Sequence, residues 1–211
     1  MPLPRLDTLL DATDQALRTL FTQPSANRDN PATQHAADGD PPQQDPVTSA
    51  ALMRVNHAGE VAAQALYQGQ QLFVRDPSVR DRLAKSAGEE QDHLAWCAQR
   101  LQELDARPSR LNPLWYLGAY SIGAVAGLFG DRVSLGFVAE TEKQVVQHLH
   151  DHLTRLPDGD ARSQAILEQM ALDEADHGQA ALLEGGIPPP RPVRRLMSLA
   201  GEIIRQVAYR V

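Results

Sequence analysis

Residues 89–93 read Glu-Glu-Gln-Asp-His, and residues 173–177 read Asp-Glu-Ala-Asp-His. Both follow the pattern acidic-Glu-x-Asp-His, 84 residues apart. In an α-helix, Glu at position i and His at i+3 lie on one face, about 60° apart around the axis. One carboxylate and one imidazole can then reach the same ion. A lone Glu-x-x-His arises often by chance on solvated faces; two copies with the same flanking aspartate are a far stronger signal. Each copy also has a glutamate one helix earlier. Glu60 precedes Glu90 by 30 residues, and Glu142 precedes Glu174 by 32. In antiparallel hairpins with short turns these pairs lie at similar depth.

The segments around the motifs carry helical apolar spacing and no convincing strand pattern. Residues 5–21 predict a short amphipathic helix, with Leu6, Leu9, Leu10, Leu17, Leu20 and Phe21 on one side. Residues 22–48 hold five prolines and few large apolar side chains, a composition that predicts a mobile linker. Thr48 or Ser49 is the expected cap of a helix reaching about residue 73, and Ser78 the cap of one reaching about residue 105. Residues 111–130 carry no charge; a helix then runs from Asp131 to about residue 156, and another from about Ala161 to Leu183. Gly185-Gly186 and the proline run 188–192 precede a last amphipathic helix. The domain reading is 1–21 terminal helix, 22–48 linker, 49–211 main domain.

Four long helices, two giving one Glu and two giving Glu-x-x-His, match the di-iron or di-manganese site of ferritin-like bundles. The expected fold is therefore all-α, a ferritin-like four-helix bundle with additional amphipathic helices at the N- and C-termini. The expected metal ligands are Glu60, Glu90, His93, Glu142, Glu174 and His177. Carboxylates can bridge two ions and imidazole suits iron, although spacing alone does not separate iron from manganese. The rival reading is six solvated side chains. Glu60 argues against it, since it sits within Ala58-Gly59-Glu60-Val61-Ala62-Ala63, where an unpaired carboxylate would be costly or protonated. Among the other histidines, His57 is a candidate neighbour of the site or a structural residue. His148 is placed near a substrate channel, and His150 and His152 on an exposed face. Asp92 and Asp176 are candidates to orient the ligand imidazoles, on their own hairpin or equally on the opposite one. Cys97 is read as core.

Leu52-Met53-Arg54-Val55-Asn56-His57-Ala58-Gly59-Glu60, followed by Ala65-Leu66-Tyr67-Gln68-Gly69-Gln70, resembles the first-helix signature of the demethoxyubiquinone hydroxylases of bacterial type. These are di-iron monooxygenases of ubiquinone biosynthesis. The resemblance covers about residues 48–211 and implies the same six ligands. In the third helix, Glu142 is followed by Lys143 where the family has a second glutamate, and His148 by Leu149 where it has tyrosine. Glu140 is a competing register; Glu142 is preferred because it keeps His148 in the family's position, where a catalytic role is expected for it. The implied reaction hydroxylates a polyprenylated demethoxyubiquinol ring. Two iron ions and O₂ take part, one oxygen atom entering the ring and the other leaving as water. An external reductant such as NADH supplies the electrons. No Gly-x-Gly-x-x-Gly fingerprint is present for binding it within this chain.

The formal charge of −7, from 27 acidic and 20 basic residues, excludes a general nucleic-acid binder. One cysteine excludes an internal disulfide. The last 25 residues run against the acidic total, with five arginines and one glutamate. A basic amphipathic helix suits anionic lipid or packing on a partner. Because a polyprenyl substrate lives in the bilayer, the expected location is peripheral, on the cytoplasmic side of the cell membrane. A sister copy or other ubiquinone-biosynthesis proteins are the candidate protein partners. Residues 111–130 are expected to be buried or surface-dipping, not spanning, since Pro113 and four glycines weaken the span. The runner-up functions are a ferroxidase or peroxide-handling di-metal protein and a non-catalytic lipid-binding helical module.

Overall fold

The computed structural model describes residues 6–35 and 45–211. Among them are seven α-helices, one short 3₁₀ turn at Pro31–Gln34, and no strand. The helices are α1 (Leu6–Phe21), α2 (Pro46–Gln71), α3 (Pro77–Glu103), α4 (Asn112–Leu128), α5 (Asp131–Arg155), α6 (Ala161–Leu183) and α7 (Arg191–Ala208). The pairs α2/α3 and α5/α6 form two hairpins, and α4 connects them while lying along α2.

Two helices begin at Asp-Pro steps. Asp45 accepts from the Thr48 N–H at 3.1 Å, and Asp76 from the Ser78 N–H at 2.9 Å. The caps therefore lie upstream of the expected Thr48, Ser49 and Ser78. A proline in the first turn has no N–H to satisfy, and its fixed φ suits helix entry. Asp160 caps α6 through the Ser163 N–H at 3.0 Å and also receives Arg100 Nη2 at 2.8 Å. Arg100 is 1% exposed, so this pair binds the end of α3 to the start of α6 where removing either partner would strand a charge.

The uncharged segment is a helix of its own. α4 has 17 residues, a length of about 25 Å against a hydrocarbon core of about 30 Å. No helix among the described residues is long and apolar enough to cross a membrane. Gly130, with φ of +99°, separates α4 from α5 by adopting backbone angles that side-chain-bearing residues rarely reach. α4 lies close to α2 because glycines meet backbone: a Cβ on Gly123 would stand 2.2 Å from the Leu66 carbonyl oxygen.

Two apolar layers enclose the middle of the bundle. Met53, Trp96, Leu149 and Met170 belong to one. Tyr67, Leu83, Leu135 and Ala181 belong to the other. Glu60, Glu90, Glu142 and Glu174 fall between them along α2, α3, α5 and α6. α7 docks at its C-terminal end, where Ala208 packs on Val55 and Ala58, and Arg54 Nη1 donates to the Tyr209 carbonyl at 3.2 Å.

The stretch 22–48, expected to be a mobile linker, is packed over its first half. Residues 22–35 run across α3 and α6, with Ala32 fully buried. Asn30 Nδ2 donates to Gln99 Oε1 at 2.9 Å, and Arg162 Nη1 to the Ala32 carbonyl at 2.9 Å. Small and polar residues can pack without forming a long element when they satisfy partners on helices already in place. The rest of that stretch, residues 36–44, and residues 1–5 of the N-terminal helix reading lie outside the described residues.

Gly123→Ala should lower stability by about 1–3 kcal/mol, because the added methyl meets backbone. Gly118, on the same helix, has open space around a would-be Cβ. Gly118→Ala should be neutral or stabilising by up to about 1 kcal/mol. Thermal melts of the two variants give opposite signs if α4 sits as described.

Candidate metal centre

α2 supplies Glu60, α3 Glu90 and His93, α5 Glu142, and α6 Glu174 and His177. All six are buried. His93 Nδ1 lies 3.6 Å from Glu90 Oε2, 3.3 Å from Glu174 Oε1 and 3.7 Å from Glu60 Oε2. His177 Nδ1 lies 3.2 Å from Glu90 Oε1 and 3.1 Å from Glu174 Oε2. Glu90 and Glu174 thus each turn one oxygen toward each imidazole. Ligand atoms of Glu60, Glu90, His93 and Glu174 all fall within 4.8 Å of one another. On the far side, Glu142 accepts the Tyr67 hydroxyl at 2.8 Å. The competing Glu140 points elsewhere and accepts Gln144 Nε2 at 2.7 Å.

The electrostatics are those of a site short of positive charge. Burial raises the Glu60 carboxyl well above its ordinary range, and the neighbouring Glu90 and Glu174 add to this against His93. Burial, Glu174 and Glu90 do the same to Glu142. Burial alone would lower His93, yet the carboxylates of Asp173, Glu174, Glu60 and Glu90 raise it well above the usual imidazole value. Burial and the surrounding carboxylates keep the Tyr67 phenol protonated, as a donor to Glu142. Glu60 Oε2, both Glu90 oxygens, His93 Nδ1 and Glu142 Oε2 are buried without a hydrogen-bond partner among the described residues. Unpaired polar atoms at this depth are costly unless a cation lies among them. Hard carboxylate oxygens with imidazole nitrogens fit a pair of divalent first-row ions.

The outer ring nitrogens have their own acceptors. His93 Nε2 is 2.8 Å from Asp173 Oδ2, and His177 Nε2 is 2.6 Å from Glu89 Oε2. Asp92 and Asp176, the expected orienters, do not serve: Asp92 accepts from Asn27 N–H and Arg28 Nε, and Asp176 is exposed. The reason is helical phase. Glu89 and His93, like Asp173 and His177, stand four apart on one face, whereas Asp92 and Asp176 sit about 100° away from the following histidine. The opening acid of both repeated motifs was the signal that could have revealed this pairing.

The remaining sequence candidates scatter. His57 lies outside the cluster, beside a cavity of about 300 Å³, with its Nδ1 3.4 Å from Asn112 Nδ2. Burial depresses its pKa to about 4. His152, expected on an exposed face, is buried with Nδ1 2.9 Å from Asn56 Oδ1. His148 Nε2 is 3.3 Å from the same oxygen. His150 is exposed as expected. Cys97 is buried against Met170.

His148 also lines an apolar cavity of about 260 Å³ between α2, α4, α5 and α7. Gly59, Ala62 and Thr141, neighbours in sequence of Glu60 and Glu142, share that wall. Leu66, Ile122, Phe137, Leu196 and Ile204 give it its character.

The ubiquinone biosynthesis protein COQ7 family model matches residues 48–208. The chain belongs to the COQ7 family. A relative from Cupriavidus pinatubonensis named 3-demethoxyubiquinol 3-hydroxylase is 55% identical over 207 residues, covering 98% of this chain and 100% of the relative. A relative of the same name from Cupriavidus necator is 56% identical with the same coverage. One from Variovorax paradoxus is 53% identical over 98% of both chains. COQ7 membership thus spans the helices that carry all six converging residues, while the relatives extend the similarity over the N-terminal segment.

Anaerobic addition of ferrous or manganous ion to the metal-free chain should raise its melting temperature. Saturation at about a hundredfold over Kd adds about 2.7 kcal/mol per site, and Glu174→Ala should lose most of that rise. At position 57 the unfolded chain takes up a proton near pH 6.5, which the folded chain refuses until about pH 4. This contribution to stability is present above the higher value and is lost as pH falls between the two. Relative to wild type, His57→Gln should gain up to about 1.4 kcal/mol per pH unit on acidification through that window, as read from chemical unfolding.

Proposed function

We propose that this chain is a di-iron 3-demethoxyubiquinol 3-hydroxylase that oxygenates a polyprenylated quinol ring. The observation that carries the reading is the apolar cavity beside the six-residue cluster, in a chain whose full-length relatives bear that enzyme name. In this reading Glu60, Glu90, His93, Glu142, Glu174 and His177 hold two iron ions. Glu90 and Glu174 stand between the two imidazoles, each turning one oxygen toward each ring. When bound, the iron would supply the redox chemistry that activates O₂ for hydroxylation of the ring.

The rest of the chemistry belongs to the chain. Asp173 and Glu89 hold each imidazole proton on Nε2, which leaves Nδ1 as the ligand atom. The Tyr67 hydroxyl fixes the Glu142 carboxylate. Leucine, isoleucine and alanine walls exclude water and suit a prenyl tail. Thr141, Gln144 and His148 are polar groups on that wall that can meet the ring oxygens, while Arg205, which also lines it, is paired with Glu202. His148 is thus proposed as a substrate-contacting residue. The electron donor is external, a reduced nicotinamide such as NADH in this reading. A ferroxidase has no use for so apolar a chamber, because its substrate is a hydrated ion.

The quinol enters from lipid. α4 exposes Leu117 (63%) and α7 exposes Leu196 (66%) and Leu199 (57%), and these two helices form part of the cavity wall. The arginines of α7 complement anionic headgroups. Residues 49–211 form the catalytic unit in this reading, seated peripherally on the cytoplasmic face of the membrane. Self-association or docking of other ubiquinone-biosynthesis proteins would use faces away from it.

The test is an assay with quinol, O₂ and reductant, with the product identified by mass spectrometry. Glu60→Ala and Glu174→Ala should lower turnover by about a hundredfold or more, with helical circular dichroism retained. Full activity in either variant would refute the ligand set. Leu199→Asp/Ile203→Asp should reduce binding to vesicles containing anionic lipid without changing metal content. Undiminished binding would remove α7 as the lipid contact.

A further inference from the structure

The two halves of the centre match down to the acid behind each histidine, and differ in what holds that acid. Behind His177, the partner of Glu89 among the described residues, besides the imidazole, is at the surface: Lys85 Nζ lies 3.4 Å away one turn earlier, with its side chain 67% exposed. Behind His93, Asp173 is gripped from outside the bundle. Arg28 Nη2 donates to Asp173 Oδ2 at 2.8 Å, and Arg28 Nε to Asp92 Oδ2 at 2.7 Å. The same Asp173 oxygen receives His93 Nε2, and Arg28 Nη2 stands 3.4 Å from that nitrogen. Gln169 Nε2 holds the other oxygen at 2.9 Å.

Arg28 is itself fixed in place. Its guanidinium lies over the Trp96 ring, 4.8 Å from the centroid. The Asn27 N–H donates to Asp92 Oδ1 at 2.6 Å, on one side of it in sequence. On the other, Asn30 is bound to Gln99, and Arg162 Nη1 holds the carbonyls of Ala32 and His35 at 2.9 Å each. The chain from 27 to 35 is thereby strapped across α3 and α6. It lies outside the stretch that matches the family model, which begins at residue 48. The full-length relatives, which align over 98% of this chain, extend the similarity across it.

We propose that residues 27–35 form a strap whose Arg28 is a positioning residue for the His93 half of the centre, making the two metal positions unequal. The inference rests on the metal reading above and goes further: it assigns a role to the N-terminal segment. Arg28 acts through Asp173. Its planar fork spans two carboxylates on different helices, so Asp173 cannot rotate away from His93 Nε2 without breaking a charge-assisted bond. With Asp173 fixed, the His93 ring keeps Nδ1 toward Glu60, Glu90 and Glu174. The cation does not repel the ion appreciably, since two carboxylates neutralise it. Geometry, not field, then decides the outcome. Among the described residues no comparable constraint acts on Glu89, whose lysine partner is an exposed surface charge.

Stepwise anaerobic titration of the full-length, metal-free chain with ferrous ion, followed by calorimetry, tests this. Wild type should show two steps. Arg28→Ala should weaken one step by about 10- to 100-fold, the usual effect of removing an outer partner of a ligand, and leave the other unchanged. Arg28→Lys should recover part of the loss. In an Asp173→Asn background, Arg28→Ala should add nothing, since the arginine works through that acid. Two unchanged steps in Arg28→Ala, or two steps weakened equally, would overturn the proposal; so would full additivity with Asp173→Asn. Circular dichroism and the melting curve of the metal-free variants separate these outcomes from loss of fold. Absence of metal uptake by wild type would instead refute the metal reading, and the strap's role with it.

Discussion

Four carboxylates in the dry centre of a helical bundle repel one another, and little in the fold makes sense without something positive among them. Glu60, Glu90, Glu142 and Glu174 lie between two apolar layers. Charge at that depth is tolerated only when paired. The two imidazoles offer partial compensation, and buried carboxylate oxygens stay without a hydrogen-bond partner among the described residues. The proposed pair of divalent ions would supply the missing charge. The apolar layers are the other half of the same design, for they hold the helices against the repulsion and keep water away.

Around this centre the molecule is symmetric in its ligands and asymmetric in its surroundings. Each hairpin presents one Glu and one acidic-Glu-x-x-His, and the acid of one hairpin reaches the histidine of the other. One flank, formed by α2, α4, α5 and α7, holds the apolar cavity. Another, along α3 and α6, is crossed by the segment that carries Arg28. In the proposed reading, a hydrophobic substrate and a reactive centre call for such a division: one flank would admit the ring, and the other would brace the centre.

Much of this was legible in residue order because helices convert spacing directly into direction. Glu-x-x-His repeated at a fixed interval implies two facing helices, and Glu60 and Glu142 follow from hairpin arithmetic. The same logic, carried one residue further back in each motif, would have found Glu89 and Asp173. Tyr67 stood within the quoted signature, but nothing in its neighbourhood pointed to Glu142, 75 residues away. In sequence His152 reads as part of an exposed run of histidines. Its environment is set instead by Asn56 on another helix.

The repeated carboxylate–imidazole pattern, the all-α class and the uncharged and basic segments were determined by the sequence alone, since each depends on periodicity within one helix or on local composition. Tertiary structure decided which acid faces which imidazole, and that residues 22–35 pack instead of wandering. It also decided that α4, α5 and α7 enclose a cavity with α2. These depend on contacts between helices far apart in the chain, where a rotation of one helix by a single residue, about 100°, exchanges one partner for another. Arg28 shows the limit most plainly. In sequence it is a polar residue in a proline-rich stretch, and only folding brings it between Asp92 and Asp173.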